Sequence, residues 1–179
     1  MMKLIERSLV LQRIRKYLGF NLFELLIVLA IIGILASIAV PSFISYLQSN
    51  RLVGTVDSLY YTLSYARSEA IKRNANIHVS LQAGSSWCYG LNVGSPCNCA
   101  TANSCTLSTV SAPNTYLSLS TSGITSNSFH FEPNHGAAGV TGTITFTTTS
   151  GTATSMGVDV SLLGSLRVCS SQVSGYQAC

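Results

Sequence analysis

The sequence predicts an α+β molecule: one long N-terminal helix, transmembrane in its first part and amphipathic in its second, packed on an antiparallel β-sheet head. Three observations carry this. Residues 25–50 hold no charged side chain, and their centre, 25–40, reads LLIVLAIIGILASIAV. Apolar residues then recur at alternating steps of four and three through Leu52, Val56, Leu59, Leu63, Ala66 and Ala70. From Ile77 onward short alternating segments are separated by Gly, Ser, Asn and Pro clusters. The 179 residues therefore divide into a basic leader (1–19), an anchor helix (20–48), an amphipathic helix packing on the head (49–75) and the head itself (76–179).

Charge placement decides the orientation of the anchor. Only 9% of residues are charged and 47% are hydrophobic, too apolar for disorder and too poorly charged for an ordinary cytosolic domain. Residues 1–19 hold Lys3, Arg7, Arg13, Arg15 and Lys16 against Glu6, which is the whole formal net charge of +4; beyond them five cations face five anions. About 20 apolar residues cross the hydrocarbon core as a helix, and the basic end stays in the cytoplasm. The rest of the chain is then sent across the membrane in a single pass. A secretory signal peptide is the rival, with Ser37-Ile38-Ala39 as its cleavage site and Val40 as the first mature residue. The long basic region, the long apolar run and a carboxylate at Glu24 argue against it.

Ionisable groups in membrane segments are costly and suggest function, although near the end of the span Glu24 could also snorkel to water. The octapeptide Gly19-Phe20-Asn21-Leu22-Phe23-Glu24-Leu25-Leu26 resembles the type IV prepilin cleavage motif: a glycine, a phenylalanine, and a glutamate four residues later. The resemblance extends to Pro41, where type IV pilins commonly carry a helix-kinking proline; the family more often has Thr and Ile at the positions of Asn21 and Phe23. It implies the type IV pilin fold, cleavage after Gly19 by a prepilin peptidase, and N-methylation of Phe20. The new Phe20 ammonium would lie four residues from Glu24, which also complements the helix dipole in the first turn. In a filament, the resemblance implies that Glu24 meets the Phe20 amine of a neighbouring subunit and fixes register.

Pro41 lacks an N–H and is expected to kink or loosen the helix near 33–41. Glu69 and Arg73 form a favourable i, i+4 pair, and Asn74 is a stop signal. A coiled coil is the rival for 52–70, but the stripe is short and lacks flanking charges. Strands are expected at 77–81, 87–93, 116–119, 129–131, 143–147, 158–161 and 166–169, forming an antiparallel β-sheet head with the helix covering one face. The Ser/Thr-rich stretches 101–128 and 147–155 read as solvated loops or edge strands. The segment 65–73 (YARSEAIKR), the Trp87 region, Phe131-Glu132-Pro133 with Gly136, and 164–169 (GSLRVC) are together similar to minor pilins and pseudopilins of the FimT/GspH kind.

Six cysteines, Cys88, Cys97, Cys99, Cys105, Cys169 and Cys179, follow the span, on the side where disulfides persist. Cys97 and Cys99 are too close to pair with each other, and Cys169–Cys179 would pin the C-terminus; the other pairings stay open. The spacing does not suit a zinc ribbon or knuckle. His130 and Glu132 would share a strand face, with His135 beyond the Pro133 turn, which could hold a metal but reads first as a solvated turn. With no nucleophile elbow, phosphate loop or paired catalytic carboxylates, neither an enzyme nor a cofactor is expected.

The expected partners are other pilins or pseudopilins, the prepilin peptidase, an inner-membrane assembly platform and membrane lipid before assembly. A cytoplasmic motor is implied by the family. Some FimT-like pilins capture DNA through a C-terminal Gly-Arg-x-Arg element. Here the matching residues are Gly164, Ser165, Leu166 and Arg167, so Arg167, with Lys72 and Arg73 elsewhere, is a meagre footprint for phosphates.

Overall fold

The structure, a computed structural model, describes residues 21–112, 116–149 and 154–179, and of Pro41 the backbone alone. The chain forms two units, one ending at Ser42 and one comprising Phe43–Cys179. Helix α1, Leu22–Arg73, contributes to both. It continues through Pro41, so the loosening expected there does not end the element.

In the first unit α1 carries its large apolar side chains outward, from Leu22 (75% exposed) to Ile38 (71%). The helix is long and apolar enough to cross a membrane, with a mean hydropathy of 2.8 over its most apolar window.

In the second unit the same helix is amphipathic. Leu52, Val56, Leu59, Leu63, Ala66 and Ala70 are each fully buried and belong to one contiguous core. The helix ends where Asn74 turns left-handed at φ 50°, with the Ala75 N–H donating to the Ala70 carbonyl at 3.2 Å and the Asn74 N–H to that of Ile71 at 3.3 Å. This pairing satisfies carbonyls that the helix leaves open, and Asn tolerates the conformation better than most side chains.

Among the described residues eight strands follow: β1 Ile77–Gln82, β2 Cys88–Val93, β3 Ser108–Ser111, β4 Leu117–Ser122, β5 Ser128–Phe131, β6 Gly142–Thr148, β7 Ser155–Val160 and β8 Leu166–Cys169. They form the expected antiparallel head, as two sheets of four strands ordered β3-β2-β1-β5 and β4-β6-β7-β8. Eight strands side by side would be nearly 40 Å wide, far more than one helix about 10 Å across can cover. As two sheets they bury Ile77, Val79, Phe129 and Phe131 from one, and Leu119, Ile144, Phe146 and Val158 from the other, in the core shared with the helix. The Trp87 and Phe146 rings meet edge to face at 4.8 Å, and the Gly84 and Leu119 backbones exchange bonds of 2.9 and 3.1 Å. Part of the Ser/Thr-rich stretch is edge strand β3, whose exposure alternates.

All six cysteines are paired: Cys88–Cys99, Cys97–Cys105 and Cys169–Cys179. The first two bridges fold residues 97–105 over the outer face of the first sheet. The Cys97 N–H donates to the Ser80 hydroxyl at 3.0 Å, and a Cβ on Gly90 would lie 2.3 Å from the Cys105 sulfur. That cover explains why β2 is buried at Cys88, Tyr89, Gly90 and Leu91 in succession instead of alternating. Cys169–Cys179 closes the C-terminal segment, where the Ser170 N–H also donates to the Gln177 carbonyl at 2.8 Å. A bridge of this kind contributes about 2–4 kcal/mol.

Candidate functional site: the apolar helix and an arginine–glycine node

Asn21 caps α1. Its Oδ1 accepts from the Phe23 N–H at 3.3 Å, and its carbonyl accepts from the Leu25 N–H at 3.1 Å. Asparagine is among the best residues for this position, so the departure at Asn21 from the commoner threonine keeps the cap. Glu24 is then the third helical residue, in the first turn, where a carboxylate favours the positive end of the helix dipole. Gly19 and Phe20 lie outside the described residues, as does the side chain of Pro41.

In the second unit, three motifs that are far apart in sequence converge. The Arg67 Nε donates to the Gly136 carbonyl at 3.2 Å. Gly136 (φ 64°) and Gly164 (φ 75°) both have left-handed backbones, and a Cβ on Gly164 would lie 1.8 Å from the Gly136 oxygen. Their turns are bonded together, the Ala138 N–H donating to the Leu162 carbonyl at 3.1 Å. Arg67 therefore ties the helix to two turns at a place where backbone meets backbone. The sequence singled out these segments separately but assigned Arg67 no role, because nothing local shows that residue 67 lies beside residue 136.

The cations are largely engaged within the head. Glu69 is 5% exposed beneath Lys72, whose Nζ lies 3.2 Å from its carboxylate, and Arg73, which also bonds it. The Arg73 hydrogen bond lowers the Glu69 carboxyl below its ordinary value, against the opposing effect of burial and with further help from Lys72. Arg167 donates from Nη2 to Asp159 Oδ2 at 2.6 Å and from Nη1 to Gln177 Oε1 at 2.7 Å. The three residues named as DNA contacts thus each hold an acid or amide partner, which leaves less cationic capacity for phosphate.

The histidines are arranged otherwise than expected. Strand β5 ends at Phe131, so Glu132 is an exposed turn residue and does not share a strand face with His130. His130 instead pairs directly with His78 on β1, their rings 5.1 Å apart. Among the described residues no three His, Cys, Asp or Glu side chains group as a metal-binding set.

Burial, and secondarily the His130 charge, hold His78 below its ordinary value of 6.5. The unfolded chain therefore binds more protons just below 6.5, and stability falls as pH drops through that window. The lowered Glu69 value adds a second loss below 4.5, with the same sign. We expect the melting temperature to decrease between pH 7.5 and 5.5, and His78→Gln to flatten that decrease; an unchanged slope in the variant would assign it elsewhere.

The family profile described as type II transport protein GspH matches residues 55–164. The chain belongs to the GspH family. No curated protein matches the sequence. Among solved structures, the crystal structure of the type IV minor pilin FimU of Pseudomonas aeruginosa (strain PAO1) is similar, with 20% identity and a TM-score of 0.48 over 65% of this chain and 91% of that one. The GspH match contains Arg67, Gly136 and Gly164, so the node lies inside the part that defines the family. As a GspH protein the chain is a pilin- or pseudopilin-like minor subunit, a structural component and not an enzyme.

Proposed function

We propose that this GspH-family chain is a minor pilin or pseudopilin that is cut after Gly19, methylated on Phe20, and drawn from the inner membrane into a filament through the apolar part of α1. The observation that carries the reading is a capped helix start with Glu24 in its first turn, followed by a surface of exposed Leu, Ile and Val side chains. Such a surface is stable in lipid or against other copies of itself, and not in water. The head, with its three bridges, lies in the periplasm before assembly and on the filament surface or tip afterwards. The prepilin peptidase and an inner-membrane platform are its processing and assembly partners, and a cytoplasmic motor supplies the energy.

Mass spectrometry of the mature N-terminus tests this. Methylated Phe20 is the expected first residue. A chain beginning at Val40 would make the protein a secreted one, and a retained leader in assembled material would overturn the reading.

A further inference from the structure

We propose that a cleft in the Phe43–Cys179 unit binds an anionic phospholipid of the periplasmic leaflet, with the headgroup on Arg51 and an acyl chain against the aromatic wall. The proposal rests on the reading of α1 as a membrane anchor.

The cleft measures about 630 Å³, within the range of sites that enclose small ligands. Helix residues Ile44, Leu47 and Arg51 form one side, and Trp87, Tyr89 and Tyr116 stand among the residues opposite. The order along the sequence suits a membrane boundary: Ile44 and Leu47 lie in the last part of the uncharged run 25–50, and Arg51 directly follows it. Apolar Ile44 and Leu47 suit the acyl side of that boundary, and Arg51, the first charge after the run, suits the headgroup side. Exposed Tyr46 and Tyr116 suit the same level, where aromatic rings with a polar tip collect.

A further observation points to an anionic amphiphile. The Arg51 guanidinium lies 6.0 Å from the Tyr116 ring centroid, and no carboxylate among the described residues forms an ion pair with it. An anion at this position would complete its coordination. Trp87 is 2% exposed, and its Nε1 is the single buried side-chain donor among the described residues that lacks a partner. That N–H is closed off from solvent, so Trp87 meets the cleft as an apolar ring and not as a donor.

Trp87 is the only tryptophan in the chain and so reports on the cleft directly. The full chain is reconstituted into vesicles of equimolar phosphatidylglycerol and phosphatidylcholine, with brominated acyl chains on one lipid or the other. We expect Trp87 quenching by both, with phosphatidylglycerol favoured roughly fivefold, as one arginine at an anionic surface allows. Arg51→Gln should abolish that preference. Reconstituted protein whose Trp87 is not quenched would overturn the proposal and leave the anchor reading standing. Equal quenching by the two lipids, unaltered in Arg51→Gln, would overturn the headgroup assignment. Failure to enter vesicles would overturn the anchor reading and the proposal with it.

Discussion

Glu24→Val yields a chain that enters the membrane at least as well as the original but is missing from the filament. The membrane half of this expectation is solvation. A carboxylate near the end of an apolar helix carries a cost, which valine removes. The assembly half is pairing. Glu24 lies in the first turn of a helix capped by Asn21, four residues beyond Phe20, which the proposed cleavage would make the N-terminus. In the proposed filament, that carboxylate and the Phe20 ammonium of a neighbour would be the complementary charges in the seam. Breaking a buried pair by deleting one partner costs about 3–5 kcal/mol, because the other charge is left uncompensated.

Sheared filament fractions should therefore contain at most about a hundredth of the usual subunit, while membrane fractions keep it. Glu24→Asp, which retains the charge on a shorter arm, should recover part of the incorporation. Undiminished Glu24→Val in filaments would remove the residue from assembly.

The second large effect is expected at Gly164. An alanine there must adopt φ 75°, and its Cβ must displace the Gly136 carbonyl, 1.8 Å from its ideal position. The left-handed backbone alone costs on the order of 1 kcal/mol, and forcing two backbones apart adds roughly 1–3 kcal/mol more. Gly164→Ala should therefore lower the unfolding free energy by about 2–4 kcal/mol. Gly139→Ala is the control, because Gly139 has φ 66° but no heavy atom within 4 Å of its added Cβ. It should cost on the order of 1 kcal/mol, the conformational part alone. Denaturant titration of the two variants, side by side in detergent, measures the difference. Equal losses would show that the close approach of the two turns contributes nothing.

The Arg67 bond to the Gly136 carbonyl makes this node a sensitive one, since any shift of residues 136 or 164 also moves an acceptor away from the helix. Gly136→Ala should be milder than Gly164→Ala. Its Cβ would meet mainly the Arg67 side chain, at 2.8 Å, which can move where a backbone cannot.

Much of the architecture was legible from local pattern. A four-and-three repeat can be read without knowing what it packs on, and the six residues of that stripe are the helix residues with no exposed surface. The seven strands expected from alternation all exist, within a few residues at their ends, because a period of two is a property of single strands. The remaining strand, β3, lies in the stretch read as solvated loop or edge strand; it is short and rich in Ser and Thr, and is held by pairing with β2 instead of by an apolar face. The division into two sheets was not legible: alternation says that a strand has an inner face and says nothing about which strand lies beside it.

The histidine arrangement illustrates the same limit. Spacing alone put His130 with Glu132, yet the strand stops between them and β1 brings His78 to the place instead. Likewise Arg51 reads in sequence as the first charge after an apolar run; that it stands across a cleft from Trp87 and Tyr89 depends on how the helix meets the strands.

By itself the sequence determined the membrane-seeking helix, its charge asymmetry, the motif around Gly19 and Glu24, and the helix-then-strands order, because each is written in residues close together along the chain. Tertiary structure alone decided the two-sheet division, the disulfide cover over Gly90, the Arg67–Gly136–Gly164 junction and the aromatic cleft. Those features join residues from about ten to nearly a hundred positions apart, and their energies come from volume, backbone approach and desolvation, which exist only once the core has closed.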